Sequence, residues 1–344
     1  MVRRTFLFLL FLGIGIALFV SLIFQTGFDA IAESLSKFSL VSFLILLVLS
    51  LMNFALFTLR WDIIIKHYNK DNKEIHIPFY RLFLHRMSAF TVSYLTPSAT
   101  SGGEPVRIFF LSEEGMSGKD AVSTVVIDKV FEYTALILFI FSGVVISMIN
   151  GALFPGNMEA ILAITMVICG GIIFWFYYST MRRIGFFSSI FKFTRLDKIK
   201  KIKNWEKSII HLEEKMTHFY TQNMKRFSIL MIISIITVLF MVFEHFLVAK
   251  FMGVNLTFLQ SFLSATIPGI SYILPVPGAI GALEGSHSVI FTLLGVSINA
   301  FVFVFILRLR DLVFVIIGLI HASKHGMQMI YKTLRNSSKK TKRT

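Results

Sequence analysis

Charge is scarce in this chain. Lys, Arg, Asp and Glu make up 15% of its 344 residues, where a soluble domain carries about 25%. Hydrophobic residues fill 55% of it, and the mean hydropathy is +0.75. That balance excludes a soluble globular domain and a disordered one, and it leaves an all-α integral membrane protein. Cysteine is scarcer still: Cys169 stands alone in an apolar run, so an internal disulfide is excluded. Acidic residues are outnumbered, 19 against 34 basic ones, which leaves a net charge of +15. Local catalytic signatures are also missing, with no Walker A loop, HExxH, GxSxG or paired CxxC. The histidines are scattered and show no metal-ligand spacing. Neither a metal nor a cofactor is expected, and the chain reads as a non-enzyme with no soluble catalytic domain.

What fills the chain instead is apolar runs. Arg3 and Arg4 precede about twenty apolar residues from Phe6 to Phe24, enough for a span and too long for a secretory signal. Further runs lie at 38–59, 121–148, 160–180, 227–249 and 298–320. About six full transmembrane helices result. Basic residues orient them. Arg3 and Arg4, the segment after the second run (Arg60, Lys66, Lys70, Lys73 and Arg81), the basic loop 181–226 and the basic tail 331–344 belong in the cytoplasm. The segments 25–37, 150–159 and 250–260 hold only Lys37 and Lys250 as basic residues and belong outside. Both termini of this multi-pass chain are thus expected on the cytoplasmic side of the cell membrane. Residues 1–330 read as one polytopic domain and 331–344 as a disordered tail.

Two apolar regions, 82–111 and 261–297, are broken by Gly and Pro. Six spans fit the charge pattern if each region begins and ends on one side of the membrane. We read them as two re-entrant segments entering from opposite faces; two short spans in each would keep the same parity. The breaks resemble each other. "YLTPSATSGGEPVR" and "YILPVPGAIGALEGSH" align Pro97 with Pro277 and Glu104 with Glu284, an offset of 180 residues. The same offset pairs Asp128 with Arg308. Halves of about 38–148 and 227–320 therefore suggest an inverted internal repeat, a transporter architecture whose paired breaks point to the binding site.

Ionisable residues at membrane depth cost at least about 2.5–3.5 kcal/mol each and mark function by default. Here they are Glu104, Arg107, Asp128, Lys129, Glu132, Glu244, His245, Glu284, His287, Arg308, Arg310 and Asp311. Spacing offers Lys129–Glu132 and Arg308–Asp311 as local i,i+3 pairs that could simply seal the bundle. Pro105 suits a first helical turn, so a short helix starts near Glu104. Its free N–H groups form an anion site, and Arg107 one turn in can fork onto a phosphate. Gly102 and Gly103 let backbone approach a ligand. In the second copy Gly278, Glu284 and His287 take these places. The candidate ligand is a lipid head group; the competing reading is a Glu104–Arg107 lock on the turn. Residues 195–220 alternate apolar and basic faces at helical spacing, which suggests an amphipathic helix on the anionic leaflet or against a partner domain. Nucleic-acid binding is excluded for a segment tethered between spans.

These motifs resemble the two signatures of the lysylphosphatidylglycerol synthase transmembrane-region family, a group of flippase-like membrane proteins. "VVIDKVFEY" resembles the acid-basic-x-x-acid pattern that follows the first signature, and the resemblance covers nearly the whole chain. Pro277-Gly278-Ala279 stands where the family usually reads Pro-Gly-Gly. The resemblance implies movement of lipid between leaflets. The aminoacyl-transferase domain fused to some members is missing here, so lysyl transfer is not carried over. We therefore expect a flippase- or scramblase-like protein for an anionic phospholipid or isoprenoid-linked lipid. Its partners would be membrane lipids and a cytosolic lipid-modifying or glycosyl-transferring enzyme. The alternatives are an accessory subunit or membrane-embedded enzyme of lipid-glycan synthesis, or a regulatory membrane partner.

Overall fold

The computed structural model describes residues 20, 21, 24, 27–36, 38–68, 75–96, 102–149, 157–194, 205–222, 224–274 and 276–341. Most of the expected first span, residues Pro97–Ser101 of the first break, and the basic residues 195–204 lie outside that set. Among the described residues all regular structure is helical. The order is α1 (Phe28–Ser36), α2 (Leu40–Tyr68), α3 (Phe79–Leu95), α4 (Glu104–Glu113), α5 (Gly118–Ile149), α6 (Asn157–Met181), α7 (Phe186–Phe193) and α8 (Trp205–Gln222). Then follow α9 (Met224–Phe251), α10 (Phe258–Thr266), 3₁₀ turns at Ile267–Ile273 and Pro277–Ala279, α11 (Ala282–Leu293) and α12 (Ala300–Thr341). The last helix runs on to Thr341, into the basic segment that sequence alone leaves disordered.

Leu40–His67 in α2 and Met224–Phe251 in α9 are long and apolar enough to cross a membrane. Leu40, Leu44, Val48 and Met52 recur one turn apart on α2 and are all exposed. Ile164, Ile168, Ile172 and Trp175 do the same on α6. Such stripes would be unfavourable in water and are at home against lipid tails. With the family assignment given below, they make this a membrane protein.

Both expected breaks are present, and their ends obey the same local rules. Helix α4 starts with Pro105 in its first turn. It stops at Gly115 (φ +97°), where Met116 N–H reaches back to Leu111 O at 3.0 Å. Helix α11 stops at Gly295 (φ +64°), where Val296 N–H reaches Phe291 O at 2.9 Å. Both are glycine-terminated Schellman turns. All three residues of the second turn stand 180 positions after those of the first.

The packing repeats as well. Helix α3 lies on α12, and α10 lies on α5; α2 packs on α5, and α9 on α12; α2 and α9 pack on each other. Under the 180-residue offset each contact maps onto its partner. The contacts of α3 with α12 and of α10 with α5 are close. Gly318 of α12 lies so near Met87 O and Thr91 Oγ1 of α3 that no Cβ would fit, and Ser88 Oγ donates to Gly318 O at 3.0 Å. At the other crossing, Gly143 of α5 lies beneath Phe262 of α10. Helix α8 also corrects an expectation. Met216, Phe219 and Tyr220 on its apolar face are buried with Ile64, Ile127 and Phe176 from α2, α5 and α6, so this part of the face is docked on the protein rather than laid on lipid.

Candidate functional site

Asp128 lies ten residues into α5, about 15 Å along the helix, and it is fully buried. An isolated carboxylate there would be prohibitive. Three guanidinium groups answer it. Arg60 of α2 donates from Nε to Oδ1 at 2.7 Å, while Arg86 of α3 and Arg107 of α4 donate to Oδ2 at 2.9 and 2.7 Å. Glu132, one turn on, accepts from Arg60 at 3.1 Å, Arg86 at 3.3 Å and Lys129 at 2.9 Å. Lys129 also reaches Glu104 at 3.2 Å. The expected Lys129–Glu132 pair is thus present, as one edge of a larger cluster. Four cations face three carboxylates, which leaves one positive charge. Glu104 and Lys129 (each 21% exposed) and Glu132 (24%) form the open side of the cluster.

Arg107 has a second partner that sequence did not suggest. Its guanidinium lies over the Trp61 ring at 4.1 Å. Both Arg107 Nε–H and Trp61 Nε1–H are buried with no acceptor among the described residues. Glu104 and Arg107 bond each other, at 3.4 Å, while the shorter bond of Arg107 goes to Asp128 at 2.7 Å. Gly102 and Gly103 form the turn before α4. Gly103 also serves packing: a Cβ there would run into Ala89 O of α3, and its N–H donates to Ser93 Oγ at 2.8 Å.

The second cluster has the opposite polarity. Glu284 forks onto Arg308, with Nε to Oε1 at 2.6 Å and a second bond at 3.0 Å. It also accepts the Gly281 N–H at 2.8 Å, so it caps α11 with its own carboxylate. Arg308 is further held by Gly278 O at 2.8 Å and by Tyr94 of α3 at 3.2 Å. Gly278 and Ala279 are both left-handed, at φ +56° and +49°, which aims their carbonyls at Arg308. The residue that departs from the Pro-Gly-Gly pattern is therefore one of the two that need a glycine-like backbone. The expected Arg308–Asp311 pair does not form. Asp311 binds its neighbour Arg310 at 2.8 Å, and Arg310 binds Glu244 of α9 at 2.5 Å. Geometry decides this: the carboxylate fixed at the α11 N-terminus offers Arg308 a bidentate fit. Two guanidinium groups here face three carboxylates, which leaves one negative charge. His245 and His287 lie beside this cluster with stacked rings.

Each central helix also contributes to the cluster of the other half. Ser234 of α9 accepts from Arg60 at 3.1 Å, and Ser50 of α2 accepts from Arg310 at 3.5 Å. Sequence reasoning missed Arg60, Arg86, Trp61 and Tyr94. Arg86 was open to discovery by the same rule that found the others, because it sits within the apolar stretch "LFLHRMSAF". Arg60 was hidden because the positive-inside count placed it in a loop, whereas α2 continues to Tyr68.

Comparison with known proteins bears on the family of the chain. The family model described as the lysylphosphatidylglycerol synthase TM region matches residues 9–318. A UPF0104 membrane protein of Methanothermobacter thermautotrophicus is 25% identical over 297 residues, covering 83% of this chain and 85% of its own. A UPF0104 membrane protein of Pyrococcus horikoshii is 22% identical over 304 residues, covering 82% and 86%. No solved structure matches.

Proposed function

Because this chain belongs to the lysylphosphatidylglycerol synthase TM region family, we propose that it carries the head group of an anionic lipid between the leaflets of the cell membrane. The lipid is a phospholipid or an isoprenoid-linked phosphate, and both chain ends lie in the cytoplasm. The observation that carries this reading is the Asp128 cluster. It holds one excess positive charge, and beside it Arg107 Nε–H and Trp61 Nε1–H have no acceptor among the described residues. Unpaired buried donors are rare and each costs about 1–3 kcal/mol. A phosphate accepts from donors of this kind and balances the charge. The matched arrangements 180 residues apart support reading the two halves as inverted copies, with α3–α4 and α10–α11 as re-entrant arms. A charge in hydrocarbon costs tens of kcal/mol before relaxation, so a carrier must replace water around the head group. The acyl or isoprenoid tails stay in the bilayer against the exposed apolar stripes of α2 and α6.

The test is translocation in vesicles of phosphatidylethanolamine and phosphatidylglycerol. Fluorescent phosphatidylglycerol or fluorescent polyprenyl phosphate is added, and dithionite quenching reports the exposed leaflet. Purified protein is expected to speed one of the two, and Arg107→Gln to lose most of that gain. If folded wild-type protein accelerates neither lipid, the carrier reading is wrong.

A further inference from the structure

Every buried carboxylate of the two clusters is already committed to a guanidinium or ammonium group, and protonating any of them breaks an ion pair. The histidines differ. His287 is 2% exposed, and its Nδ1 lies 2.9 Å from Leu283 O. A carbonyl only accepts, so Nδ1 carries the hydrogen and Nε2 of the neutral ring presents a lone pair. That Nε2 is buried with no partner among the described residues. His245 is tied in the same way, with Nδ1 2.9 Å from Met241 O. The two rings stack at 5.8 Å with 13° between planes. Phe303 lies 5.4 Å from one ring and 5.5 Å from the other.

The charges around the pair come from three helices. Glu284 on α11 and Arg308 on α12 act on His287, and Arg310 on α12 acts on His245. Glu244 of α9 and Asp311 of α12 are bound to Arg310. Helix α10 contributes no charge, and Tyr272 of the 3₁₀ turn and Tyr94 of α3 are the nearby phenols. The cluster carries one negative charge in excess, so a single proton on the imidazole pair closes it. A second would set two imidazolium rings face to face and is opposed by like-charge repulsion.

We propose that His287, with His245 stacked on it, is a proton-binding site that couples the lipid step to proton movement, one proton per head group; this rests on the carrier reading above. A monoanionic phosphate on the first cluster and a proton on the second make the loaded protein neutral at both. Transport is then driven by a pH gradient and indifferent to membrane potential.

The same vesicles test this. With one proton per lipid, a gradient of about one pH unit holds about a tenfold excess of labelled lipid in the leaflet on the alkaline side. Nigericin should abolish the excess, a potassium potential set with valinomycin should not create one, and His287→Gln should show none. If the label crosses wild-type vesicles but divides equally under the gradient, the coupling is wrong and the carrier reading stands. If neither labelled lipid crosses, the carrier reading fails and the coupling with it. A readout independent of the variant is ¹⁵N-histidine NMR of wild-type protein in nanodiscs. His287 Nε2 should show the unprotonated resonance at neutral pH and shift on acidification; a resonance that never shifts while the protein stays folded overturns the proposal.

Discussion

Replacing Asp128 by Asn tests the first cluster most directly. The carboxylate accepts three guanidinium bonds, one on Oδ1 and two on Oδ2. An amide keeps one accepting oxygen and turns an NH2 group toward the remaining donors. At least one charge-assisted bond is therefore lost and replaced by a donor–donor clash. The cluster's excess positive charge rises from one to two inside a buried site. Removing one partner of a buried ion pair typically costs about 3–5 kcal/mol, because the orphaned charge stays behind. We expect Asp128→Asn to destabilise by that amount, measured by unfolding in mixed micelles with increasing sodium dodecyl sulfate and followed by tryptophan fluorescence. Arg60→Met added to Asp128→Asn returns the excess charge to one and removes the guanidinium that faces Oδ1. The double variant should recover about 2 kcal/mol or more of the loss, as neutral replacements of buried pairs often do. If Asp128→Asn unfolds within about 1 kcal/mol of wild type, or the double variant is no better than the single, then charge balance is not what holds α2, α3, α4 and α5 together.

Other expectations follow from the same contacts. Gly318→Ala puts a methyl group into Met87 O and Thr91 Oγ1; overpacking of this kind costs about 1–3 kcal/mol, and a thermal melt in detergent should fall accordingly. Trp61→Phe keeps the ring under Arg107 but deletes the unpaired N–H; stability without lipid should hold or rise by about 1 kcal/mol, while lipid binding measured by scintillation proximity should weaken. Tyr94→Phe removes the α3 hydroxyl from Arg308; loss of a hydrogen bond to a charged group costs about 1.5–3 kcal/mol, and hydrogen exchange should rise at the Gly278 turn more than in α5.

Periodicity and composition made the long helices legible, and the 180-residue offset read from Pro97–Pro277 and Glu104–Glu284 also lands on Gly115 and Gly295, which end α4 and α11. Those features are written locally: a proline that cannot continue a helix, a glycine that can turn left-handed, a run without charge. The partners of the charges are not written locally. Spacing along one helix offers only i,i+3 and i,i+4 choices, so it finds Lys129–Glu132 and wrongly offers Arg308–Asp311. Arg308 meets Glu284 because α11 is delivered to α12 by the chain's path. Arg60, Arg86 and Arg107 meet at Asp128 because three separate elements converge there. The docking of α8 was missed for the same reason: an amphipathic face states that it must be covered, not by what.

The crossed packing of the arms has a consequence for how the molecule can be divided. Helix α3 of the first half rests on α12 of the second, and α10 of the second rests on α5 of the first, while Ser234 and Ser50 each complete the other half's charge cluster. Cut near the basic loop, the chain would yield two pieces that each expose a bare arm and an incompletely satisfied arginine. Neither piece is a domain in the folding sense; the cooperative unit is the interlocked pair, and fragments of this protein should fold only on meeting each other.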